Sequence, residues 1–232
     1  MTKNLVVFDL DETLLNGDSM TLWHQFLVDK GFVTPPDFLA LDSQFMAAYA
    51  DGSLDLDAYL AFSLSPLKNM LAEEVNALAA RFAKDALMPL VFPEAIVTLA
   101  QYKDEGVALA IVSASPSFLV KPVAKALGVE TAMGIDLVLN NGKYQPQPEG
   151  VPSFREGKVL RLTQWIGGLD HDFERISFYT DSINDLPMCL FADDVHIINP
   201  CSKLFKKAGE YQWPVHKWGD AQSLSLSPQH PT

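Results

Sequence analysis

At 232 residues the chain is long enough for one sizeable domain or one domain with an insert, and 48% apolar residues exclude wholesale disorder. A formal charge of −12 argues against a nucleic-acid or anionic-membrane partner, because both want clustered Lys and Arg. Two cysteines, Cys189 and Cys201, show neither metal-ligand nor disulfide spacing and read as buried free thiols. With no visible signal peptide and no apolar run of membrane-spanning length, the expected setting is the reducing cytoplasm.

The first element is an apolar run, Leu5-Val6-Val7-Phe8, that ends abruptly at Asp9 and Asp11. Such a run bounded by charge reads as a central parallel strand covered on both faces. From Gly17 to about Leu90 the strand signal disappears. Leu22, Trp23, Phe26 and Leu27 recur at helical spacing and stop before Gly31; Phe38 to Tyr49 do the same after Pro35-Pro36. Further helical stretches near Asp55–Leu64 and Glu73–Leu87 complete an insert of about four helices.

The α/β pattern then resumes. Pro93 opens a helix through Tyr102, and Val107–Val112 is a strand ending in Ser113-Ala114-Ser115-Pro116. A helix from Phe118 to Leu127 precedes Asn141-Gly142, a hairpin signal between Leu137–Leu139 and Lys143-Tyr144. Gln145–Pro152 reads as a loop. Lys158 stands at the start of a helix marked by Val159, Leu162 and Ile166. Ile176–Tyr179 is a strand ending in Thr180-Asp181-Ser182, Val195–Ile198 is another, and a helix with Lys203, Lys206 and Lys207 stops before Gly209. This order predicts a doubly wound, mainly parallel α/β sheet. The expected domains are a Rossmann-like core over residues 1–16 and 91–222, a helical cap over 17–90 and a flexible tail over 223–232.

The strand and helix ends carry complementary chemistry. Asp9 is an oxygen nucleophile of the kind that forms an aspartyl phosphate. Acids gathered from two strand ends need a hard cation, and Mg²⁺ suits an oxygen-only site that leaves positions for water and phosphate. Lys158 adds a positive charge, while Ser113 and the backbone N–H groups after it, starting with Ala114, can hold phosphate oxygens. Asp11, two residues from the nucleophile, is placed to protonate the leaving oxygen and then to deprotonate the attacking water. Singly, each has a plainer reading: Asp9 and Asp11 as turn residues, Ser113 as a cap and Lys158 as a solvated surface charge.

Together these motifs resemble the haloacid dehalogenase superfamily, in its phosphoserine-phosphatase-like subgroup with a helical cap. FDLDETLL matches D-x-D-x-T/V, VSAS carries the Ser of the second motif and EGK the Lys of the third. YTDSINDLPM resembles G-D-x-x-N-D-x-x-M, with Thr180 where that subgroup usually has Gly. The resemblance implies that Asp9 is nucleophile and metal ligand, and that Asp11 is acid/base and lends the metal its backbone carbonyl. Thr13 would orient the loop, Ser113 would bind phosphate, and Lys158 would bridge phosphate and nucleophile. Asp181 would ligate Mg²⁺ directly, with Asp185 in a supporting or water-mediated place in the metal set and Asn184 in a supporting position. The second acid favours phosphoryl chemistry over dehalogenation.

The expected substrate is a small phosphorylated metabolite. Phosphoserine phosphatases resemble this chain but hold the amino acid with a cap Glu and a cap Arg. Here Asp18 stands where the Glu is expected and the insert's one Arg, Arg81, comes late, leaving only Lys68 as a substitute; phosphoserine is therefore disfavoured. The insert has 10 acids against 4 basic residues, so an acidic lip at Asp18 suits a neutral or cationic leaving group, such as that of histidinol phosphate. The competing readings are phosphoserine hydrolysis, phosphotransfer to an alcohol, and a non-catalytic phosphometabolite-binding module. His24, His171 and the aromatic residues of the insert (Trp23, Phe26, Phe38, Phe45, Tyr49, Phe62) read as packing or surface groups.

Overall fold

A computed structural model describes residues 4–33 and 36–219. The predicted tail and Pro35 lie outside the described residues. Eight strands are present among them: β1 (Asn4–Phe8), β2 (Ala108–Pro116), β3 (Thr131–Ile135), β4 (Leu137–Asn140), β5 (Lys143–Pro148), β6 (Arg175–Thr180), β7 (Asp194–Ile198) and β8 (Val215–His216). The helices are α1 (Ser19–Asp29), α2 (Phe38–Asp51), α3 (Leu56–Leu64), α4 (Ala72–Phe82), α5 (Pro93–Asp104), α6 (Ser117–Ala126), α7 (Glu156–Gly167), α8 (Leu186–Phe191) and α9 (Ser202–Tyr211).

Six strands form one parallel sheet in the order β3-β2-β1-β6-β7-β8, and β4 and β5 make a separate antiparallel ribbon. The apolar run of β1 is uninterrupted because both of its faces are covered. Leu5 and Val7 join Phe178, Leu162 and Met188 on one side; Val6 and Phe8 join Ile111, Leu119 and Tyr179 on the other. From β1 the chain winds outward to β2 and β3, then crosses to β6 and winds the opposite way. The order therefore reverses between β1 and β6, and the crevice beyond their carboxyl ends is where such sheets take ligands. Asp9 follows β1 and Asp181 follows β6, in register through Phe8 and Tyr179.

The helical insert leaves and rejoins the core through a paired neck. Leu15 bridges Val91, Asn16 N donates to Leu90 O at 2.8 Å, and Phe92 N donates to Leu14 O at 3.0 Å. Beyond the neck, α1 packs on α4 and on α6 of the core through Trp23, which is fully buried and meets Phe82 at 5.2 Å and Phe118 at 6.0 Å. One continuous apolar cluster thus runs from the sheet face into the insert. Among the described residues, no helix is long and apolar enough to cross a membrane.

Several local expectations are corrected. β5 extends to Pro148, into the stretch read as loop; a ribbon edge asks little of a proline's missing N–H. β2 continues past Val112 through Pro116, which pairs with Ile135 after a break in register. α9 passes through Gly209, where nothing lies within 4 Å, and ends at Gln212 in the left-handed conformation. Cys189 is buried but Cys201 is exposed, so only one thiol follows the packing rule.

Candidate active site

The floor of the site is built at the β1/β6 crevice. Lys158 Nζ lies 2.9 Å from Asp9 Oδ1 and donates to Asp185 Oδ2 at 2.8 Å, with Asp185 Oδ1 at 2.7 Å. The lysine is only 1% exposed, which rules out a solvated surface charge. It reaches this position because Gly157 lets the first turn of α7 press on the preceding loop: a Cβ there would stand 1.9 Å from Pro152 O. Thr13 Oγ1 donates to Asp181 Oδ1 at 3.1 Å. Thr180, at the position expected to be Gly, donates to Asp185 Oδ2 at 2.8 Å and accepts from Ser182 N at 3.1 Å.

The floor is short of positive charge. Burial pushes Asp9 up to about 8 despite Lys158, with Asp185 and Asp11 adding to the rise. Burial, then Asp9 and Asp185, hold Asp181 well above the carboxylate range. Burial opposes the Lys158 ammonium, but Asp185 and Asp9 outweigh it and keep its pKa above the ordinary value. A buried, all-oxygen set with more acids than cations fits a hard divalent ion. Among the described residues no three His, Cys, Asp or Glu side chains form a ready metal cage. Mg²⁺ does not ask for one, since it keeps several waters and takes one or two carboxylates.

Asp11 sits where the insert begins. Its Oδ1 accepts from Ser19 N at 2.7 Å, at the start of α1, and its Oδ2 accepts from Ser115 Oγ at 2.8 Å and Ser113 Oγ at 3.3 Å. Ser113 itself is fully buried, accepts from Ser115 N at 3.0 Å, and is braced through its carbonyl by Ser153 Oγ at 2.6 Å. Ala114 and Ser115, rather than Ser113, face the cavity.

That cavity, about 240 Å³, lies between the floor and the insert. Its floor carries Asp9, Asp11, Asp181 and Ser182; its walls include Met20, Met46, Tyr49, Leu54, Leu56, Tyr59 and Phe154, with Cys201 also in the lining. Asp18 lines it too and caps α1, accepting from Thr21 N at 2.7 Å. Burial, then the neighbouring Asp11, raises Asp18 to about 7. Among the described residues no Lys or Arg lines this cavity; Lys68 is exposed elsewhere, and Arg81 borders a separate pocket with Phe26 and Asp85.

Residues 6–189 match the family of haloacid dehalogenase-like hydrolases, most of the chain. The chain belongs to that family. It is 34% identical over 217 residues to a histidinol-phosphatase of Neisseria meningitidis serogroup C (strain 8013), covering 92% of this chain and 98% of the relative. A solved structure of a protein of unknown function from Bordetella pertussis Tohama I shares 32% identity and a TM-score of 0.84, covering 93% of this chain and 98% of that one. A substrate-bound phosphoserine phosphatase shares the fold, with a TM-score of 0.63 at 21% identity, over 89% of this chain and 91% of its own. This member of the haloacid dehalogenase family is a phosphatase.

Within the family's frame, four residues were not singled out from the sequence as site residues. Ser115 makes the shorter serine bond to Asp11; its place two residues after Ser113 was the available signal. Thr180 was noted only as a departure from pattern. Tyr49, read as packing, lines the cavity; burial and the nearby Asp185, Asp9 and Asp181 hold its phenol well above the ordinary range. Arg155 carried no signal at all. Asn184, expected in a supporting position, donates from Nδ2 to Tyr49 O at 2.8 Å, bridging core and insert. His24 is a satisfied core histidine at one nitrogen, paired with Asp42 at 2.7 Å.

Proposed function

We propose that this phosphatase hydrolyses a small phosphomonoester whose alcohol carries positive charge and no carboxylate, as histidinol phosphate does. The observation that supports this is the cavity lining: Asp18 with Tyr49 and Tyr59 on the insert side, and no Lys or Arg to receive a carboxylate. A substrate carboxylate would enter among Asp11, Glu12 and Asp18 unpaired, a costly arrangement in a closed site. The relative from Neisseria, named histidinol-phosphatase, agrees with the same reading.

In this reading a carboxylate oxygen of Asp9 attacks phosphorus, and the bond to the leaving alcohol breaks as Asp11 delivers a proton to its oxygen. Asp11 then takes a proton from water, which attacks the aspartyl phosphate and returns Asp9 as a carboxylate with free phosphate. Lys158 offsets charge on Asp9 and the phosphoryl oxygens, and Ala114 supplies its backbone N–H to those oxygens, the Ser115 N–H being held by Ser113 Oγ. Asp9, Asp181 and the Asp11 carbonyl would hold Mg²⁺, which supplies screening between carboxylate and phosphate and polarises the phosphoryl group. Asp185, engaged by Lys158 and Thr180, serves this set by fixing the lysine. Residues 17–90 act as the cap that selects the alcohol. Free cysteines at 189 and 201 suit a cytoplasmic setting.

The test is Mg²⁺-dependent phosphate release from histidinol phosphate, phosphoserine and a neutral aryl phosphate, with Asp9→Asn alongside. Histidinol phosphate should lead by kcat/KM, and Asp9→Asn should lose about 10³-fold or more in kcat while keeping the fold. A preference for phosphoserine overturns the substrate. Turnover that survives Asp9→Asn overturns the mechanism.

A further inference from the structure

The C-terminal end of α2 is held to the core at three points. Asn184 Nδ2 donates to Tyr49 O at 2.8 Å, Arg155 Nη2 donates to Gly52 O, and Lys203 Nζ pairs with Asp51 Oδ1 at 2.9 Å. Carbonyls at a helix C-terminus carry the negative end of its dipole, so cationic and amide donors are the partners they favour. Gly52 closes the helix at φ +76° and has Arg155 Nη2 3.6 Å and Asn184 Oδ1 3.9 Å from where its Cβ would be. The insert therefore meets the core through backbone oxygens fitted against specific side chains.

Arg155 is the unusual member. Its backbone sits at φ +52°, ψ −123°, a conformation that costs an L side chain energy and suits glycine. Its guanidinium nonetheless lies 4.6 Å from the Phe154 ring centroid, which in turn is 5.9 Å from that of Tyr49. Nε points at Asn184 Oδ1 at 3.4 Å, and Arg155 O accepts from Lys158 N at 3.0 Å. One residue thus touches the insert, the terminal acidic motif and the turn that carries the buried lysine.

We infer that Arg155 is a positioning residue: it latches the C-terminal end of α2 to the core and, through the same turn, fixes Lys158 in place when the insert is seated. This rests on the reading of Lys158 as the partner of Asp9 and phosphate. Strain that a glycine would relieve is retained because the guanidinium serves both sides of the seam. The arrangement makes closure over the cavity and placement of the lysine one event.

The experiment compares the full chain with Arg155→Gly and Arg155→Lys, measuring thermal stability, amide hydrogen exchange, inorganic phosphate binding in Mg²⁺, and kcat and KM. Arg155→Gly relaxes the backbone, so the melting temperature should hold or rise. Exchange at the Ala48–Gly52 amides should nevertheless rise, phosphate should bind about tenfold more weakly, and kcat should fall about tenfold. Arg155→Lys should restore part of each effect, since an ammonium can take one acceptor but not two. Unchanged exchange in α2, or unchanged phosphate binding, overturns the inference. So does a loss confined to melting temperature. If the wild type turns over none of the phosphomonoesters while Arg155→Gly still loosens α2 and phosphate, the substrate reading fails and the latch stands.

Discussion

The two sides of the cavity are built on opposite principles. The floor, at the ends of β1 and β6, is polar, buried and crowded with acids around a single lysine, each side chain fixed by a partner. The insert side is aromatic and thioether-rich, with Asp18 as its one acid in the lining. Reacting groups on rigid strand ends keep their geometry, whereas a wall of Met and Tyr side chains can be reshaped without disturbing them. Under the proposed function, the chemistry belongs to the sheet and the choice of alcohol to the insert. Changes to the two sides should therefore fail differently.

The largest effect is expected on the floor. Lys158→Met leaves Asp9 and Asp185 buried without their cation, so kcat should fall about 10²- to 10³-fold. In metal-free protein the same change should cost about 3–5 kcal/mol of unfolding free energy by urea titration, which added Mg²⁺ should partly recover. A variant as stable as wild type would break the account of the floor as a charge-balanced set.

Next comes Gly157→Ala. With a Cβ directed 1.9 Å from Pro152 O, the loop must move, at about 1–3 kcal/mol or more. Lys158, one residue on, should be displaced with it, so both melting temperature and kcat should drop while KM changes little. On the opposite wall, Asp18→Asn keeps the helix cap and removes only charge. It should raise KM for an amine-bearing phosphomonoester about tenfold and leave kcat within a factor of a few. A fall in kcat instead would move Asp18 from the wall to the floor.

The smallest effect on activity belongs to a pair remote from both sides. His196 Nδ1 lies 3.3 Å from His216 Nε2, joining β7 to β8, while the ring stacks on Tyr179 at 4.3 Å. Burial, then His216, depresses His196 to about 4 from 6.5, against the pull of Asp194. A depressed histidine contributes stability that is present above its unfolded pKa and is lost as pH falls through its folded one. Unfolding free energy should therefore decline between pH 6.5 and 4 by up to about 3 kcal/mol, and His196→Phe should flatten that decline. Initial rates on folded enzyme should not follow the same curve in the variant.

Much of the fold was legible because the central strands are covered on both faces: β1 and β2 up to Val112 accordingly read as apolar runs, and β6 as a shorter one interrupted by Ser177. β3 escaped because Thr131–Ile135 includes Gly134, a weak strand residue that is present for another reason. Its Cβ would come 2.7 Å from Ser115 O, so the backbone approach that shapes the second motif requires glycine. β8, at two residues, is too short to leave a period. The acids and the lysine could be found because their spacing follows a known order. Arg155 could not, because its role comes from backbone conformation and from carbonyls of α2 about a hundred residues away, neither of which a local pattern records. Ser115 lay in plain view, but alternation along β2 puts it on the same face as Ser113 and does not say which of the two makes the closer bond to Asp11.

The position of β1 also governs the order in which this protein can be assembled. Leu5 pairs with Ala108 and with Ile176, so β1 has both neighbours only once the chain has been made past Ile176. The intervening helices also depend on later sequence, α4 packing on α6 and α3 on β5, so insert and sheet both wait for long-range closure. Asp9, one residue beyond β1, therefore finds its full surroundings only after β6 has followed it. Until β6 arrives, Asp9 follows a strand whose second edge is unpaired, and the pathway's aggregation risk lies at that edge.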